Sequence, residues 1–164
     1  MSETNIYTPP ITDVSLDPVG SKLILKELKN QSTWRLFFLT VVTFGVYSAH
    51  YIRRQTNILN KSLSEDDQIS SWFIGAILFL SYASLALLVP SLLAENGHDI
   101  EGVANSLDRI GNIAFVIWAF KARNRMNTIL QSVSGSRNWF HGLWTFLFGV
   151  MYFNYKVNKL NEEA

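Results

Sequence analysis

From Trp34 to Asn60 the chain reads W-R-L-F-F-L-T-V-V-T-F-G-V-Y-S-A-H-Y-I-R-R-Q-T-N-I-L-N, an aromatic apolar run with a basic, asparagine-bearing tail. Its uncharged part, Leu36 to Ala49, is 14 residues long and lies between Arg35 and His50. A bilayer-spanning helix needs about 20 residues, and apolar runs of roughly 10–14 are more often re-entrant or interfacial. A shortened copy of the stretch returns from Trp139 to Asn161. Aligned on Phe44-Gly45-Val46 and Phe148-Gly149-Val150, the copies run without a gap through Tyr51 and Tyr155. Three residues are then dropped before Asn57 to Asn60 meets Asn158 to Asn161.

Three further hydrophobic runs complete the pattern. Trp72 to Ala94 carries 23 residues without a charge, enough for about 34 Å of helix. Val103 to Phe120 is long enough to cross, but holds Asp108 and Arg109. Its eight strong apolar residues favour insertion by roughly 4 kcal/mol, against ~5–7 kcal/mol for the two charges at a bilayer centre. Nearer the interface that penalty falls, and the two can pair. Gly142 to Phe153 has 12 residues and resembles the first run in length.

The composition agrees with a membrane class. Apolar residues make up 48% and charged residues 16%, against about 25% charged in soluble domains. Without Cys, disulfides and thiolate chemistry are excluded. The first 31 residues lack the basic start and apolar stretch of a secretory signal, so the first hydrophobic run is expected to act as the targeting signal.

Residues 1–20, with Pro9, Pro10, Pro18 and Gly20, read as a flexible arm. Residues 21–31 read as an amphipathic basic helix, with Ile24, Leu25 and Leu28 opposite Lys22, Lys26 and Lys29. Such a helix can lie in the headgroup plane or pack on a neighbour, and the first is favoured. Residues 32–161 form a single membrane domain with a weak repeat, 32–61 and 136–161.

Charge placement chooses between topologies. If all four runs cross, Lys and Arg divide seven and seven, and the positive-inside rule gives no orientation. If only residues 72–94 and 103–120 cross, thirteen of the 14 positive charges share one side. The loop from Glu95 to Asp108 then carries four acids and no Lys or Arg on the other side. Trp34, Trp72, Trp118 and Trp139 would form a belt at the basic face. The expected fold is therefore an all-α membrane protein with four hydrophobic helices. Two full spans are flanked by two short Gly-containing embedded helices, with four spans as the alternative, in a multi-pass protein of the cell (inner, cytoplasmic) membrane.

The stretch T-F-G-V-Y at Thr43 to Tyr47, with Trp34 upstream and Arg53, Arg54 and Asn60 downstream, resembles a family of small prokaryotic integral membrane proteins. That family is catalogued as a domain of unknown function with a W…T-x-G-[IV]-Y…N pattern. The resemblance covers mainly residues 32–61, with a looser echo at 136–161, where Leu147 and Met151 replace the Thr and Tyr positions. It implies a bacterial-type membrane protein and brings no activity, cofactor or catalytic residue.

No enzyme motif is present: His50, His98 and His141 lack ligand spacing, and no nucleotide fingerprint or nucleophile elbow occurs. No catalytic residue, cofactor, metal or nucleic-acid partner is expected. Polar stripes remain. Thr43, Tyr47 and His50 share one helical face of the first run, and Asp108, Arg109 and Asn112 one face of the third. Intramembrane ionisable groups default to a functional hypothesis. Interhelical hydrogen-bonding faces are the plainer reading and are favoured. Gly45 and Gly149 suit close helix packing or a bend. The expected role is a non-enzymatic scaffold, regulator or assembly subunit with the lipid bilayer, another membrane protein or a second copy as partner. A small transporter or channel using these polar faces is the alternative.

Overall fold

A computed structural model of the chain describes residues 18–93 and 98–163. Among the described residues it holds six α-helices and one 3-10 turn, with no strand: α1 (Pro18–Leu28), α2 (Thr33–Val42), α3 (Val46–Lys61), the turn Glu65–Asp67, α4 (Ser71–Leu93), α5 (His98–Ile129) and α6 (Gly142–Glu162). Most of the expected N-terminal arm, residues 1–17, lies outside the described residues.

The stretch from Trp34 to Asn60 is two helices, not one short helix centred on Gly45. Ser32 starts α2, its side chain accepting from the Arg35 N–H at 3.2 Å. At the other end the Gly45 N–H reaches back to the Thr40 carbonyl at 2.8 Å and the Phe44 N–H to Val41 at 3.2 Å. These paired bonds close a left-handed helix terminus, with φ of 49° at Phe44 and 88° at Gly45. The chain then doubles back. Thr40 and Ser48 hydroxyls meet at 2.7 Å, although eight residues of straight helix would separate them by about 12 Å. Tyr47 likewise donates to Gln31 Oε1, ahead of α2, at 2.6 Å.

The second copy bends at the aligned glycine. Gly149 has φ 46° and ψ −118° inside α6, and the His141 N–H reaches the Tyr152 hydroxyl across the bend at 3.0 Å. Both glycines face α5 one turn apart, Gly45 beside Phe115 and Gly149 beside Ala119.

α4 and α5 pack antiparallel, with Gly111 against Leu80 and Arg125 at Asp67. Of the described helices, α4 alone is long and apolar enough to cross a membrane, and only 17% of its most apolar window is buried in the protein. The acidic segment expected as a loop from Glu95 is helical from His98 onward, so α5 is continuous for 32 residues.

Burial divides the molecule in two. The core joins α1, α3 and the C-terminal halves of α5 and α6 through Leu28, Ile52, Leu59, Trp118, Met126, Phe140 and Phe153, each at most 2% exposed. Large apolar side chains of α2, α4 and the N-terminal halves of α5 and α6 point outward instead, among them Phe38, Val42, Phe44, Phe79, Ile113, Phe146 and Phe148.

Three expectations change here. The apolar face of α1 is covered by protein: Ile24, Leu25 and Leu28 are buried against α3 and α6, so it is unavailable to a headgroup layer. Trp118 leaves the supposed interfacial belt; it is fully buried, donating to Thr56 Oγ1 at 2.8 Å. Asp108 and Arg109 form no ion pair, because consecutive helical residues point about 100° apart.

Candidate functional site

The expected polar face separates into distinct places. Thr43 serves the α2–α3 reversal: its hydroxyl donates to the Leu39 carbonyl at 2.7 Å and accepts from the Tyr47 N–H at 2.9 Å. It therefore satisfies a backbone donor at the start of α3 that would otherwise lack a partner. His50 leaves that group, its Nε2 lying 2.7 Å from the Tyr82 hydroxyl of α4.

Asp108 and Asn112 do reach the glycine turn. With Phe44, Gly45, Ser81, Ser84, Gly111 and Phe115 they line a cavity of about 30 Å³, room for about one water. Asn112 donates to Asp108 Oδ2 at 3.3 Å, while Ser81 turns its hydroxyl back to the Ile77 carbonyl. Arg109 does not line this cavity. Gly45 and Gly149 are packed on α5, but the positive φ at each, rather than close approach, singles them out, since an added Cβ would meet nothing closer than 3.9 Å.

Where the two copies meet, a denser polar junction forms around Gln31. Its carbonyl accepts from Asn154 Nδ2 at 3.2 Å and Asn158 Nδ2 at 2.9 Å. Asn154 also donates to Thr33 Oγ1 and accepts from the buried Tyr51 hydroxyl at 3.1 Å. Burial pushes the Tyr51 phenol above its ordinary pKa, keeping it a donor. The junction staples the base of α2 to α6.

The asparagines at the helix ends bond beyond their own helices. Asn60 donates to the Ile69 carbonyl and accepts from its N–H, at 2.9 and 3.0 Å. Asn127 brackets Phe140 in the same way, at 3.3 and 2.8 Å. Each amide thus fixes the segment leading into the next apolar helix, α4 or α6. Asn161 donates to Leu25 of α1 at 2.6 Å. The recurrent Asn at helix ends was the sequence signal; its partners lie 9, 13 and 136 positions away, with no common spacing to reveal them.

Among the described residues, no group of three His, Asp or Glu side chains could hold a metal ion; the side chains of Glu95, His98 and Asp99 lie outside that description. A search of curated proteins and a search of solved structures each return no match. One family model matches residues 31–128, more than half of the chain, taking in α2 to nearly the end of α5 and leaving out the second copy. The chain belongs to that family, described as a domain of unknown function (DUF4234).

Proposed function

We propose that this chain is a multi-pass protein of the cytoplasmic membrane with a non-enzymatic role as a scaffold, regulator or assembly subunit. In this reading α4 and α5 cross the bilayer, while α2–α3 and the first half of α6 enter from the basic face and return to it. The observation that carries the reading is the opposite orientation of apolar side chains in the two halves of one fold. Phe38, Val42, Phe79, Ile113 and Phe146 are 60% exposed or more. Leu36 and Ile52, on the same first stretch, are fully buried. Exposed apolar area on this scale marks a lipid or partner surface, and α2, α4, α5 and α6 all contribute.

The satisfied polar groups fit a structural role, since Thr43, Tyr47, His50 and Asn112 each spend their hydrogen bonds within the protein. Alkaline carbonate extraction tests the membrane assignment. The chain should stay with the lipid pellet, and release into the wash would end the reading. For the scaffold role, a specific protein should co-purify in mild detergent and be lost when Gly45 or Gly149 is replaced by a bulky residue.

A transporter is the second reading, favoured by the polar cavity that joins Asp108 and Asn112 to the Gly45 turn. It requires ion or solute flux in reconstituted vesicles that Asp108→Asn abolishes at unchanged expression. Absence of flux with common ions would remove it.

A further inference from the structure

On the exposed side of α3, next to α1, lies an open cleft of about 640 Å³ lined by Glu27, His50, Arg53, Arg54, Asn57 and Lys61, with Ile58 at its floor. Three cations face one carboxylate there. None of them is neutralised: among the described residues the ion pairs are Arg125 with Asp67 and Arg137 with Glu163. Arg54 makes only a long contact, 3.5 Å, to the Glu27 carbonyl.

The position of the arginines matters as much as their charge. α3 and α4 run antiparallel, bracketed by the His50–Tyr82 contact at one end and the Asn60–Ile69 clamp at the other. Along the axis of α3, Arg53 and Arg54 fall between these points, Arg54 turned toward α1, at a level between Ile69 and Tyr82 where Phe79 of α4 is 69% exposed. Two guanidinium groups without an ion-pair partner attract an anion, and charge-assisted Arg–phosphate pairs hold one with bidentate geometry. The neighbouring exposed Phe79 and Tyr82 offer apolar surface for what such a phosphate is attached to.

We infer that this cleft binds the phosphate of an anionic phospholipid headgroup, with Arg53 and Arg54 as its ligands and Lys61 and Asn57 at the rim. The lipid tails run along the outer face of α4 past Tyr82. The inference rests on the membrane reading above and names a lipid for it.

The test titrates the full chain, in neutral detergent, with dihexanoyl phosphatidylglycerol, dihexanoyl phosphatidylcholine and inorganic phosphate by isothermal calorimetry. Phosphatidylglycerol should bind, with phosphatidylcholine at least about tenfold weaker because its choline cation is repelled by the same basic cleft, and inorganic phosphate at least about tenfold weaker because it has no acyl chains to bury. The double change Arg53→Gln and Arg54→Gln should cost at least that factor. Lys121→Gln, which alters an exposed cation on α5 outside the cleft, should leave binding intact. All variants keep the helical circular dichroism of the parent, because the altered side chains are exposed.

Inorganic phosphate binding as tightly as the lipid would replace the lipid with a free anion and overturn the assignment. Equal affinity for the two lipids, or no loss in the double variant, would also overturn it. Carbonate extraction separates the two levels of failure. A chain that resists carbonate yet ignores the arginine changes loses only the lipid site, and one washed free loses the membrane reading itself.

Discussion

At Gly45 an added Cβ would meet Phe115 no closer than 3.9 Å, and at Gly149 it would meet Ala119 at 4.0 Å, so neither position is short of space. What each requires is a backbone that L-residues rarely adopt, φ +88° and φ +46°. Gly45→Ala should cost about 1–2 kcal/mol, the penalty of a left-handed L-residue. Gly149→Ala should cost more, because its ψ of −118° lies outside the left-handed helical well. Thermal unfolding in detergent measures both, at roughly 2–4 °C per kcal/mol for a chain of this size. The paired F-G-V triplets were readable as equivalent points, though not as chain reversals. Asn127→Ala tests the other residue-level device. It strands the buried Phe140 N–H, a loss of about 1–3 kcal/mol.

Among the elements, α1 and α5 depart most from what periodicity implies. The Lys and Leu spacing of α1 allows a headgroup-plane helix and a packed surface helix, and favours the first. Docking on α3 and α6 decides for the second, because those helices offer an apolar seat and Asn161 bonds the Leu25 carbonyl. Leu28 is fully buried, so Leu28→Ala should cost about 2–5 kcal/mol. It should also open Lys22, Lys26 and Lys29 to trypsin before the rest of the chain is cut. Protection of α1 that survives this change would mean that something other than the α3–α6 seat holds it. In α5, the same helix changes role along its length. Ile113 and Ile117 face outward, while Trp118, Ala122, Met126 and Ile129 face the core. Residues 103–120 are less apolar than α4 because Asn105, Asp108, Arg109 and Asn112 interrupt them, whereas α4 carries no charge.

For the molecule as a whole, the proposed topology places the 62–70 and 131–141 connections on one side and the start of α5 on the other. The chain has no native Cys, so single cysteines report cleanly. Ser64→Cys and Ser134→Cys, both exposed, should react with an impermeant maleimide from the basic face. Gly102→Cys, where an added side chain meets nothing within 4 Å, should react only from the opposite face. Labelling of Ser64→Cys and Gly102→Cys from one side would reject two crossings. The hydrophobic runs, their lengths and the uneven basic charge were all readable in the sequence. The division into an outward-facing half and an inward-packed half was not, because both halves use the same residue types.

The sequence by itself determined helices as the regular structure of the described residues, one of them long and apolar enough to cross a membrane, and a repeated Phe-Gly-Val point in two short runs. Local terms set these features: apolar run length, helix-capping chemistry and the conformational freedom of glycine. Only the tertiary structure decided that the first run turns back on itself, that Trp118 is core rather than belt, and that Asn60 and Asn127 hold the approaches to α4 and α6. It also left Arg53 and Arg54 without an ion-pair partner among the described residues, in a cleft shared with Glu27 of α1. The burial of Trp118 depends on what a side chain meets far along the chain, its Nε1 finding Thr56 62 positions away, while the reversal and the asparagine clamps depend on side-chain and backbone geometry that residue type alone does not fix.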